Sequence, residues 1–164
     1  MPMVHDFWLL RESERLYKDH YDLIRRRDAP VRLHDDFMFY FYDSVLWIPT
    51  LNPSKPERPV GYGLNWYGST IINQTGGLLW SQIWRSWAQL FTHGPEQLRL
   101  QGEYSWQWPF DESEHLVSED QLGTFGRYEY VEIDRDELVQ MLTLLAQFGE
   151  QAATGEFFIF HVGI

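Results

Sequence analysis

The stretch from Asp134 to Val162, DRDELVQMLTLLAQFGEQAATGEFFIFHV, reads as a helix followed by a strand, and the character of that strand sets the fold class. Asp134 stands where an N-cap should, with Glu137 three residues on, so a carboxylate can accept from the orphan N–H groups of a first helical turn. Leu138, Met141, Leu142, Leu145 and Phe148 then recur at helical spacing and mark one buried face. Gly155 closes the helix, because glycine enters the left-handed conformation without a Cβ penalty. Phe157–Val162 is apolar at odd and even positions alike. Such a strand has both faces covered and is not a free edge.

Outward from there, Arg127–Ile133 is a strand, and Gln97–Glu103 alternates polar and apolar residues as a half-exposed strand does. Gly76-Gly77 opens a second helix, Leu78 to Thr92, with Leu79, Ile83, Trp87 and Leu90 as a stripe that Trp80, Trp84 and Phe91 widen. His93-Gly94-Pro95 stops it. Val60–Trp66 alternates large and small residues, which predicts a strand with something packed closely on one side, continued or neighboured by Gly68–Ile72. Phe37–Tyr42 reads as a strand of two faces, followed by a turn at Asp43-Ser44 and a second apolar piece, Val45–Ile48. Asp6–Asp28 reads as the first helix, with Leu9, Leu16, His20, Leu23 and Ile24 near one face and Arg25-Arg26-Arg27 in the last turn.

Helix, strands, helix, strand, acidic loop, strand, helix, strand is an α+β order. It predicts one domain over 1–164, a mostly antiparallel sheet with about three helices packed on it. The Pro-rich loop 49–59 and the acidic loop 109–125 are insertions within that domain.

Composition narrows the function classes. A 164-residue chain can bury about 70% of the surface its unfolded form exposes. The absence of cysteine removes disulfides, thiolate metal sites and cysteine nucleophiles, and fits a reducing cytoplasm. No apolar run has the length of a membrane span, and Met1–Asp6 lacks a signal-peptide layout. The net charge is −11, and residues 111–137 hold ten acidic side chains against only Arg127 and Arg135. A phosphate backbone needs a cationic surface, so direct nucleic-acid binding is disfavoured. The same charge fits a basic protein partner, and equally plain solubility.

Motifs for chemistry are sparse. His34-Asp35-Asp36 has ligand-type side chains, but neighbours in sequence point in different directions; His5-Asp6, His93 with Glu96, and His115 with Glu119 offer no third ligand at recognisable spacing. No nucleophile elbow or phosphate loop occurs, so neither cofactor nor metal is expected. His161 inside the last strand is either a core histidine bonded to backbone or a site residue, and with Tyr40, Tyr42 and Trp66 it outlines a possible aromatic pocket. Trp106 and Trp108 share a face of an extended segment and border Asp111, Glu112, Glu114, Glu119 and Asp120. Aromatic anchors beside complementary rim charge are how many tight protein interfaces are built.

The run Gly63–Ile72 (GLNWYGSTII), Trp84 with Trp87–Phe91, Pro95, Leu98–Gly102, and the ending Ile133–Leu138 with Gly155–His161 resemble the small acidic immunity proteins of bacterial toxin systems. The resemblance covers about half of the chain, Gly63–Gly102 and Ile133–His161. It implies a noncatalytic inhibitor that binds a toxin domain, and the acidic surface would suit a basic one; the folds of such proteins are diverse, so the resemblance assigns no binding residue. The chain is expected to be a monomer or homodimer. Two other expectations stand beside it. One is an enzyme or small-molecule binder using the aromatic pocket; the other is a phage or secretion assembly subunit.

Overall fold

The computed structural model describes residues 3–14, 28–53, 61–106 and 126–163. Strand β8 (Phe157–Val162) lies between β1 (Val4–Arg11) and β5 (Ser69–Ile72), with β2 (Val31–His34) outside β1. Every pairing in this sheet is antiparallel, and Phe7 and Thr70 flank His161 on its two sides. Strand parity then sorts the side chains. Phe7, Val31, Leu33, Ile72 and Ile159 enter the main core, and His5, Thr70 and His161 share their face. Trp8, Ile71, Phe158 and Phe160 enter a second apolar cluster on the opposite face, where Ala29 and Leu51 pack. This is why the last strand is apolar on both faces. The chain is α+β with antiparallel sheets, as the order of elements predicts.

Three α-helices occur among the described residues: α1 (Asp35–Val45), α2 (Gln74–Phe91) and α3 (Arg135–Ala153). The last begins as expected, with the Asp134 side chain accepting from the N–H groups of Asp136 and Glu137, and Gly155 beyond it has φ +82°. Helices α2 and α3 meet at their glycines. A Cβ on Gly77 would stand 2.6 Å from the Ala153 backbone nitrogen, and one on Gly149 would stand 2.6 Å from the Gly77 carbonyl oxygen. Only glycine permits so close a backbone approach. The Trp80 indole N–H donates to the Leu145 carbonyl at 2.8 Å across the same contact.

Two expectations change. Val4–Arg11 is a strand, not the start of a helix over Asp6–Asp28; a 3₁₀ turn, Glu12–Glu14, follows, and residues 15–27 lie outside the described residues. His5, Phe7 and Leu9 on one face and Trp8 and Leu10 on the other give a strand covered on both sides, a pattern without the period-2 alternation of a half-exposed one. Conversely, Phe37–Tyr42 is not a strand but lies inside α1. Phe37, Met38, Phe41 and Val45 are buried at helical spacing, and the His34 side chain caps by accepting from the Asp36 N–H. Asp35 and Asp36 occupy the first turn, where the helix dipole favours negative charge. The aromatic run has strand propensity, and the helical spacing of its buried side chains overrides it.

Smaller revisions follow the same logic. Of the segment Val60–Trp66, residue 60 lies outside the described residues, and within 61–66 the strand is Gly61–Tyr62, β4, paired with β3 (Pro49–Thr50), so the Pro-rich loop starts in a short ladder. Helix α2 starts before Gly76, at Gln74, with Asn73 as cap. Strands β6 (Gln97–Trp106) and β7 (Gly126–Asp134) pair as a ribbon whose inner face, Leu98, Leu100, Val131 and Ile133, joins the core. The acidic segment 107–125 joins Trp106 to Gly126 and lies outside the described residues.

Candidate functional site

Two histidines, an aspartate and a threonine gather at one place beneath the loop between β4 and β5. His5 on β1 and His161 on β8 face the same way from adjacent strands, and Asp35 arrives from the first turn of α1. The His5 ring nitrogens lie 2.8 Å from His161 Nε2 and 3.0 Å from Asp35 Oδ1. His161 Nδ1 is 3.4 Å from the Thr70 hydroxyl, which accepts from the Asn65 N–H at 2.8 Å.

One assignment of protons satisfies the whole chain. An ionised carboxylate only accepts, so His5 Nε2–H donates to Asp35. His5 Nδ1 then accepts from His161 Nε2–H, and His161 Nδ1 accepts from the Thr70 O–H. Both imidazoles are neutral in this arrangement. Electrostatics agree: burial holds His5 below its ordinary range although Asp35 pulls it upward, and burial together with the neighbouring His5 holds His161 well below. Both histidines are 0% exposed, so no substrate atom reaches either ring in this conformation.

Trp66 closes the top. Its ring meets His5 edge-on at 4.6 Å between centroids and packs against Phe39 at 5.0 Å and Tyr42 at 5.4 Å. A Cβ on Gly163 would fall 2.0 Å from the Trp66 carbonyl oxygen, so that glycine lets the strand end pass under the loop. The Gly163 N–H donates to Gly68 at 2.8 Å and fixes the loop's far end.

Of the four residues expected to line an aromatic pocket, Tyr42 and Trp66 meet each other, and His161 lies one ring further in, beyond His5. Tyr40 points elsewhere, onto Trp87 at 5.8 Å and Phe91 at 6.1 Å. His161 bonds to side chains and not to backbone. His5 and Asp35 complete the cluster and escape the sequence reading, where His5 counts only in the pair His5-Asp6 and Asp35 only in the run His34-Asp35-Asp36, both weighed as metal ligands. The signal for His5 is its parity with Phe7, which is visible only once β1 is taken as a strand. Among the described residues no three His, Asp or Glu side chains form a metal-binding group. The Trp106 side chain, Trp108, Asp111, Glu112, Glu114, Glu119 and Asp120 lie outside the described residues.

A second feature lies on the surface beside Trp66. Phe39, Tyr42 and Leu46 are 46%, 40% and 39% exposed, at i, i+3 and i+7 along α1 and its C-cap, Leu46. Trp47, Tyr62 and Tyr67 around them are 64%, 70% and 81% exposed. Aromatic surface of this density is unusual for a face turned to water. Among the described residues no helix is long and apolar enough to cross a membrane. No family model, curated protein or solved structure matches this chain, so the reading of its function rests on this geometry and on the sequence.

Proposed function

We propose that this chain is a noncatalytic binding protein of the cytoplasm, an immunity-type inhibitor that neutralises a basic toxin domain by covering it. The observation that carries the reading is the contrast between interior and surface: the only converging His–His–Asp group among the described residues is sealed at 0% exposure of both rings, while Trp47, Tyr62 and Tyr67 face solvent. Enzymes expose their acid–base groups to substrate; binding proteins expose their aromatic anchors. The charge supports the same reading. The β6–β7 pairing of Trp106 with Gly126 brings together the two ends of the segment that holds Asp111, Glu112, Glu114, Glu119 and Asp120. Beside it the ribbon's Tyr128 and Tyr130 are half exposed. Clustered negative charge steers a cationic partner and sets the salt dependence of association.

The test is capture on the tagged chain at low and high salt, with Asp111, Glu112 and Glu114 all changed to Lys in a parallel sample. The expected result is a basic protein retained at low salt and lost with the triple variant, whose toxic or enzymatic activity falls when the wild-type chain is added back. Equal capture by the triple variant removes the acidic segment from the interface. A captured protein whose activity is unaffected overturns the inhibitor reading.

The meeting of Tyr42, Trp66 and the histidine pair favours one alternative, a small-molecule site reached by movement of the loop over His5. Saturable binding of a small molecule that His5→Gln abolishes would establish it.

A further inference from the structure

Helix α1 turns to solvent a face that is both aromatic and anionic. On it Phe39, Tyr42 and Leu46 run beside Asp36 and Asp43, and the helix contains no Lys or Arg. The Asp36 carboxylate lies 3.0 Å from His34 Nδ1, the nitrogen that caps the helix, and exposed Asp43 has no ion-pair partner among the described residues. The loop that carries Tyr62 and Tyr67 stands along the helix, held where Gly63 abuts Leu46 and where Trp66 rests on Phe39 and Tyr42.

We propose that this face is the docking surface for an arginine-bearing segment of the partner, with the rings stacking on guanidinium groups and Asp43 pairing with one of them. The inference rests on the binding-protein reading above and supplies the chemistry of the partner. Charge decides between occupants. A second copy would set this anionic face against an identical one with no cation on α1 to offset it, between chains that each carry −11. A purely apolar partner would bury Asp43 unpaired, which is costly. An arginine satisfies both halves of the surface, since its planar, weakly hydrated cation stacks on aromatic faces and bonds a carboxylate. The protein already uses this contact on its ribbon, where the Arg99 guanidinium lies 3.9 Å from the centroid of the Tyr130 ring.

The experiment is a titration of the ¹⁵N-labelled full chain with nona-arginine and, separately, nona-lysine, followed by amide chemical shifts. Wild type, Asp43→Lys, Trp47→Ala and the triple reversal at Asp111, Glu112 and Glu114 are compared. The expected result is saturable shifts across 36–47 and 61–67 in wild type, with nona-lysine several-fold weaker, about 10-fold weaker nona-arginine binding in Asp43→Lys, and retention of the α1 shifts in the triple variant. Shifts confined to the acidic segment, with α1 silent, overturn this docking surface and leave the binding-protein reading standing. No shift in wild type with either peptide overturns both. Concentration-dependent α1 shifts without peptide assign the face to a second copy and overturn the proposal. The wild-type map stands whether or not a variant folds.

Discussion

The contact between α2 and α3 and the corner between α1 and the 61–68 loop are both rich in tryptophan, yet one is sealed and the other open. At the first, Gly77 and Gly149 let two backbones touch, so Trp80 and Trp84 are wrapped to 0% exposure. At the second, the helix and loop meet through Leu46 against Gly63 and through Trp66, and the remaining rings stay in water. The lesson is that the small residues between the aromatics decide whether a ring stabilises the fold or is left in water. Burying a large side chain contributes about 1.5–3 kcal/mol, and the α1 corner forgoes much of that.

The largest effect should come from breaking the close contact. An ordinary Gly→Ala change inside a helix gains about 1 kcal/mol of propensity. Gly149→Val should instead lose about 2–5 kcal/mol, because its Cβ would sit 2.6 Å from both the Gly77 oxygen and the Ser81 nitrogen and 2.7 Å from Trp80. Urea denaturation measures it, and a midpoint equal to wild type would mean that the helices are not held this close in solution.

Next comes the polar layer that separates the two regions. Asp35→Ala removes the acceptor of a buried imidazole N–H and should cost about 1–3 kcal/mol at pH 8. The pair also makes stability depend on pH. Both folded-state values lie below the ordinary histidine value, so between the two the unfolded chain binds protons that the folded chain refuses. Stability is therefore full above about pH 6.5 and falls as the pH drops from there towards the folded values. Denaturation midpoints between pH 8 and 5 should decline in wild type, and His161→Gln should flatten the decline. A flat wild-type profile would show that the pair is not buried neutral.

The smallest effect sharpens the contrast from the other side. Trp47→Ala should change stability by no more than about 0.5 kcal/mol, despite removing the largest kind of side chain, because the ring is 64% exposed. Thermal unfolding checks it. A loss as large as that of a core tryptophan would mean that the α1 corner is packed and not a free face.

Helix α3, the ribbon and β8 are legible in the sequence because local signals agree there: the Asp134 cap, the period of Leu138–Phe148, the alternation from Gln97. In β1 and α1 local signals conflict. Aromatic residues of high strand propensity lie on a helix whose apolar residues nearly encircle it, and a strand covered on both sides shows no alternation. The candidate site is less legible still. His161 stands out as a histidine in an apolar strand, but its partner His5 is 156 residues away and Asp35 lies on a helix that reads as something else. No local pattern encodes a contact of that span.

The position of β8 has a consequence for how the chain assembles. It follows every other described element, yet it is the strand that joins β1 to β5. Among the described strands, β1 pairs with β2 alone until β8 emerges, so its other edge stays open and Phe7 and Trp8 lack their β8 neighbours until then. Contacts of such long sequence separation pay their loop-closure entropy before any reward, which slows folding and exposes strand edges to neighbours. The nascent chain should therefore expose this sheet edge until β8 has emerged, and pairing of β8 is the step that covers it.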